Sequence, residues 1–161
     1  MKKFTIDLFV NNGIYTEEEV RSRMEIHLMD YSRTINIEAR TMLEMTHKTI
    51  IPAVVNYSEH LLGALSKKRK FAELKLNTYA EEKLLETVST LLGKLYQSVE
   101  VLEKNLELAY TTLSPLERAE SYYHGVASEM VTMRQLLDQL EVHIPEDLWE
   151  IPSYTKLLLE Y

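Results

Sequence analysis

His27, His47, His60, His124 and His143 carry the only imidazoles with which this chain could hold a metal or move a proton. None of them stands in a His-Glu-x-x-His arrangement. Glu44-Met45-Thr46-His47 does have the Glu-x-x-His spacing that puts two ligands on one face of a helix in di-iron bundles. Such a centre needs a second copy and two further glutamates, and Glu120 and His124 are one residue too far apart to supply it. The histidines therefore read as ordinary surface residues, and no metal site is assigned. The chain has no cysteine, which removes disulfides, thiol nucleophiles and sulfur-rich zinc sites. Asn36 and Glu38 are polar residues with no nucleophile, paired base or glycine-rich phosphate loop beside them. They read as solvated or capping side chains and as candidates for an interface. Lys67-Lys68-Arg69-Lys70 is the one dense basic run, but without interleaved aromatics it reads as a solvated connection and not as a nucleic-acid patch. Met24, Met42, Met45, Met130 and Met133 recur at helical spacing and read as core filler.

Chemistry this sparse turns attention to the elements. A chain of 161 residues with 45% hydrophobic content can bury the core of one domain. Four glycines and four prolines are few for a sheet protein, and abundant Leu, Glu, Lys and Met favour helix, so the fold class is all-α. A net charge of -7 and a pI near 5.3 argue against a nucleic-acid or anionic-membrane surface. Met1-Lys2-Lys3 imitates the start of a signal peptide, but Asp7 and the Asn11-Asn12-Gly13 turn break the apolar run. No stretch approaches the roughly 20 apolar residues needed to cross a bilayer. A cytoplasmic protein is expected.

Residues 1–15 read as a linker or strap; Phe4 to Val10 alternate too loosely to define a strand, which leaves an ordered strap or a short edge strand. Thr16-x-x-Glu19 is a capping box and opens a first helix. Its stripe of Met24, Leu28, Tyr31, Ile35, Ala39, Met42 and Met45 runs to a kink or break expected just before Pro52. Val54, Tyr57 and Leu61 resume the stripe as far as about residue 65, and Ser66 to Asn77 reads as a loop. Thr78-x-x-Glu81 and Ser114-Pro115-Leu116-Glu117 are further capping signals. They open helices at about 79–110 and 115–143. The second helix carries an unbroken seam, Leu85, Val88, Leu92, Leu95, Val99, Leu102, Leu106 and Ala109. The third carries Leu116, Ala119, Tyr123, Val126, Met130, Met133, Leu137 and Leu140.

Together these elements predict an antiparallel three-helix bundle over 16–143 with a long, Pro-kinked first helix. Residues 144–161 form a short aromatic and proline tail packing on it through Trp149, Pro152 and Tyr154. At 1.5 Å per residue the first helix would run roughly 75 Å if straight and the other two about 40 to 45 Å, so the first overhangs its partners. Apolar residues on the overhang then need a cover from elsewhere.

The run from Arg33 to Met42, with Ser22-Arg23, Glu25-Ile26, Leu28, Tyr31 and Ile51-Pro52-Ala53-Val54, resembles the segment that follows the catalytic core in type III glutamine synthetases. Met133-Arg134, Asp138, Leu140-Glu141, Trp149, Pro152, Tyr154 and Leu157-Leu158 stand in the order in which that family closes its chain. The resemblance runs from about Gly13 to Leu158. Met24, Ser32, Glu150 and Leu159 depart from the family's pattern. What it implies is a non-catalytic C-terminal helical domain that serves subunit packing and oligomer assembly. The ligation of ammonia to glutamate, with ATP and a divalent metal such as Mg, would take place on a β-rich core outside this chain, so no catalytic, cofactor or metal residue is assigned here. The implied partners are that catalytic core and neighbouring identical subunits in a homo-oligomer. Met24, Leu28, Tyr31, Ile35, Asn36, Glu38, Trp149 and Tyr154 are the interface candidates. The alternative is an independent helical scaffold or adaptor that binds a partner through its first helix.

Overall fold

Thr16 begins the longest rod of the molecule. Glu19 donates its backbone N–H to the Thr16 hydroxyl (3.2 Å), and the Thr16 N–H returns a bond to the Glu19 carboxylate (2.8 Å). Glu17, Glu18 and Glu19 add negative charge at the positive end of the helix dipole. The protein is described from a computed structural model covering residues 3–149, 151 and 152. Among the described residues six α-helices make up the frame: α1 (Lys3–Asn11), α2 (Glu17–Met45), α3 (Ile51–Lys70), α4 (Tyr79–Thr111), α5 (Pro115–Ser121) and α6 (Ser128–Glu141). Wide π turns, Thr46–Ile50 and Tyr122–Ala127, join α2 to α3 and α5 to α6. The frame is therefore three long rods, with α1 folded beside the first. No strand occurs among the described residues.

The middle rod, α4, packs against α3 and, antiparallel, against the third rod, whose α6 begins opposite Ser98 and whose second π turn lies beside Asn105. Val88, Leu91, Leu95, Val99, Leu102, Leu106 and Ala109 are buried along it; of the stripe read from the sequence, Leu85 and Leu92 are only half-buried, and Leu91 is buried in addition. Ala39, Ile50 and Val54 enter the same core from the first rod, and Tyr122, Val126, Met133, Leu137 and Leu140 from the third. Two polar bonds fix the register of α4 on the third rod. Ser98 Oγ donates to Glu129 Oε1 (2.5 Å), and Asn105 Nδ2 donates to the Gly125 carbonyl (3.1 Å) inside the second π turn.

Several expectations need correction. Phe4 to Val10 are neither strap nor strand: they lie in α1, which Gly13 terminates at φ +64° while its N–H donates to Val10 O. Only glycine adopts that conformation without strain. Ser66 to Lys70 are helical, because Leu61 and Leu65 extend the buried stripe and cations suit the last turn of a helix. Of the three capping boxes only Thr16 to Glu19 forms. At Thr78 the hydroxyl donates to Glu82 and Asn77 Oδ1 caps Tyr79 N–H instead, and Ser114 caps nothing with its side chain. In the stripes, Met45 is exposed and Thr46 buried, Tyr123 is exposed and Tyr122 buried, and Leu116 is exposed.

The first of these slips has a geometric cause. In a regular helix Ala39 and Leu65 would point about 80° apart, and one residue taken up in a wider turn brings them within about 20°. The π turn at Thr46–Ile50, immediately before Pro52, is that wider turn, and it keeps both halves of the rod facing α4. Proline supports it, since its missing N–H removes one bond that a regular helix would need there.

At the far tip of the α3–α4 hairpin, Lys68 donates to the Glu81 carboxylate and Arg69 to Glu82 (3.2 Å). The Lys68 bond holds the Glu81 carboxyl below the usual glutamate range. The Thr78 hydroxyl and then Arg69 do the same for Glu82. A carboxylate whose pKa is lowered by folding stabilises the fold above its unfolded pKa, and loses that contribution as pH falls through the folded value. Hydrogen exchange followed from about pH 6 down through the glutamate range near 4.3 should show the tip opening before the core. Lys68→Met should erase that difference, and simultaneous opening of tip and core in the parent chain would contradict it.

Candidate functional site

Residues that could do chemistry are kept apart. Glu44 is engaged by Lys48 (2.5 Å), while His47 Nε2 lies 3.5 Å from Glu103 on α4 with its ring edge-on to Tyr96. His124 packs against Tyr123. Among the described residues no three His, Asp or Glu side chains converge on a point that could hold a metal. No helix among them is long and apolar enough to cross a membrane. The molecule's distinctive surface is an uncovered apolar one.

That surface lies where the first rod overhangs the others. The third rod begins level with Ser32 to Asn36, since Met29, Ser32, Arg33 and Asn36 share a groove with Tyr110, Arg118 and Tyr122. The stretch from Glu17 to Leu28 therefore extends beyond the hairpin by about 18 Å. One side of it is covered by α1, which packs on α2. Phe9 stacks on Tyr15 (5.8 Å), Arg23 lies 4.6 Å over the Tyr15 ring, and Val20 is buried. The rest is open: Phe4 is 76% exposed, Ile14 57%, Ile26 51% and Met29 48%. The base of the hairpin adds Tyr110 and Leu113, the latter 90% exposed, and Met29 and Tyr110 line one groove. Overhang and hairpin base thus form an apolar shelf rimmed by Arg33 and Arg118.

The expected interface residues are divided by this geometry. Tyr31 and Ile35 pack against the bundle's own core, and Trp149 belongs to it. Burial, then the charges of Tyr123 and Glu38, raise the Tyr31 hydroxyl's pKa. Met24 and Leu28 are half-buried on the overhang. Asn36 lines the shelf groove and accepts from Arg40 Nε (3.2 Å), whereas Glu38 lines a different groove between α2 and α6. Tyr154 lies outside the described residues. The apolar residues that reading the buried stripe passed over are Ile26, Met29 and Ile37. Their spacing puts them on the opposite side of the rod, about 160° from that stripe.

Comparison with known proteins returns the family that the residues suggested. Residues 1–69 match the family model described as glutamine synthetase C-terminal domain. Over 159 residues, 96% of the chain, it is 33% identical to a glutamine synthetase of Butyrivibrio fibrisolvens. It is 23% identical to one of Bacteroides fragilis over 94% of its length, and 22% identical to the type-3 glutamine synthetase of Dictyostelium discoideum over 95%. The matched region is 22%, 21% and 21% of those proteins, so the chain spans about a fifth of the length of the relatives it matches.

Proposed function

We propose that this relative of the glutamine synthetases is a non-catalytic C-terminal helical domain that packs subunits of a type III-like enzyme into an oligomer. The observation that carries the reading is the shelf: a folded bundle in which Phe4, Ile14, Ile26 and Met29, together with Tyr110 and Leu113, remain uncovered at one end. The similarity to about a fifth of much longer enzymes supports a cover of the same origin, either the catalytic core or a neighbouring identical subunit. In this reading glutamate, ammonia, ATP and the divalent metal bind outside these residues, in the cytoplasm, where an absence of cysteine is no handicap.

A second reading, an independent scaffold or adaptor, draws on the same open face of the first rod. One experiment separates them. In the full-length enzyme, Ile26→Asp with Met29→Asp should dissociate the oligomer in size-exclusion chromatography and abolish glutamine formation. The same pair in the isolated chain should leave its melting within about 1 kcal/mol of the parent, because both residues are half-exposed. A variant enzyme that assembles and turns over normally would remove the packing role and leave the adaptor.

A further inference from the structure

Where the hairpin base meets α2, a groove of about 260 Å³ is lined by Met29, Arg33, Asn36, Tyr110, Arg118 and Tyr122. Two rods supply its cations, Arg33 from α2 and Arg118 from α5. Arg118 is fixed in place, because its Nε donates to the Thr112 carbonyl (2.7 Å). Arg40 donates through Nε to the side chain of Asn36 (3.2 Å) and brings a third positive charge to the same region. Among the described residues none of these three arginines pairs with a carboxylate, although acidic residues outnumber Lys and Arg by 25 to 18 in the chain.

The floor of the groove carries a second, independent feature. Tyr122 is only 2% exposed, and its hydroxyl bonds to nothing among the described residues. That oxygen is not one of the sealed, unpaired polar atoms of the chain, so the little surface it keeps opens into the groove. Burial raises the hydroxyl's pKa and the charges of Arg118 and then Arg40 oppose the rise, with Tyr110 the only other group acting on it. A nearly buried donor flanked by guanidiniums marks a place for an anionic acceptor.

We propose that this groove binds a carboxylate, with the Tyr122 hydroxyl donating to one oxygen and the Arg33 and Arg118 guanidiniums holding the group from two rods. Guanidinium suits that ligand, since its planar fork of donors matches both carboxylate oxygens. The walls select what lies next to the charge. Met29 and Tyr110 favour hydrocarbon there, whereas an inorganic phosphate would press oxygens against them. The volume lies below that of a drug-sized site and suits a small organic acid or one acidic side chain of a neighbouring protein, which bring the same chemistry. The inference stands on the groove itself and holds whether or not the shelf packs subunits.

Sodium phenylacetate is the probe. Titrated into the isotope-labelled chain at constant ionic strength, it should give saturable shifts of the Arg33 and Arg118 Nε–H signals, while Arg21 and Arg69, paired elsewhere, stay still. Inorganic phosphate should bind more weakly. Tyr122→Phe should weaken phenylacetate binding about tenfold, the effect of one hydrogen bond to a charged group. It should not lower Tm, because that hydroxyl has no partner to lose. Arg33→Gln, at an exposed position, should likewise weaken binding without loss of Tm. Equilibrium dialysis of the full-length enzyme identifies the source of the carboxylate. If the ligand is a free acid, the assembled enzyme takes up phenylacetate as the chain does. If a neighbour's side chain fills the groove, assembly abolishes that uptake, and Arg33→Gln with Tyr122→Phe makes the oligomer dissociate at higher protein concentration. The proposal fails if phosphate and phenylacetate shift all four arginines alike, or if Tyr122→Phe binds as the parent does. It fails equally if the assembled enzyme neither takes up phenylacetate nor is weakened by the double substitution.

Discussion

Leu95→Asp should leave the chain without a folded bundle at room temperature. Leu95 is fully buried near the middle of α4, where seam residues from both neighbouring rods meet. A carboxylate placed there loses its hydration among apolar side chains, and Ser98 and Asn105, the polar groups that α4 turns towards the third rod, are already bonded. The group either stays charged at large cost or binds a proton and still leaves polar atoms unpaired. Loss of the leucine contacts adds about 3 kcal/mol. The sum rivals the whole stability of a domain of this size, about 5 to 15 kcal/mol. Circular dichroism should show helix content collapsing and no cooperative urea transition. Leu137→Asp should be milder, since Leu137 borders grooves on the α6 face through which a carboxylate can reach water. Cooperative melting of Leu95→Asp near the parent temperature would refute the placement of this seam.

The contrast marks what the sequence could reveal. The α4 seam was legible because its spacing never leaves the three-four pattern, and a helix with one apolar side has only one way to turn it inward. The helical class and the hairpin of the second and third rods followed from the same property. What stayed hidden depends on choices between chemically similar neighbours. Tyr122 and Tyr123 offer the same side chain to the same site, and only the wide turn beginning at Tyr122 decides that the first goes in. Thr46 displaces Met45 although methionine is the more apolar, because the turn rotates the threonine inward. Capping signals failed for a related reason: Glu81 has Lys68 within reach across the hairpin, and a charged partner outbids a backbone amide. At the candidate site the apolar stripe marks the side of the rod that meets its own core. The shelf residues Ile26 and Met29 lie on the other side, where isolated apolar residues on a helix are too common to be informative until the fold shows them uncovered together.

Single-residue deletions should expose the role of the wide turn with the second large effect. Removing Lys94 from α4 rotates everything before it by about 100° relative to everything after it. With no wide turn in α4 to take up the change, Val88 and Leu91 swing out of the core while Leu95 to Ala109 stay in register. At about 1.5 to 3 kcal/mol for each large apolar side chain exposed, the α3–α4 half of the bundle should come apart. Removing Lys48 shortens the first rod by the same one residue, yet Lys48 is exposed and lies within the π turn. The turn then tightens to a regular helix with Ala39 and Val54 still facing α4, and local repacking costs about 1 to 2 kcal/mol, since the pairing of Lys48 with Glu44 is exposed and adds little. Urea melts of the two deletions should therefore differ by several kcal/mol. Equal damage from both would mean that the wide turn does not set the phase of the rod, and that Thr46 is buried for some other reason.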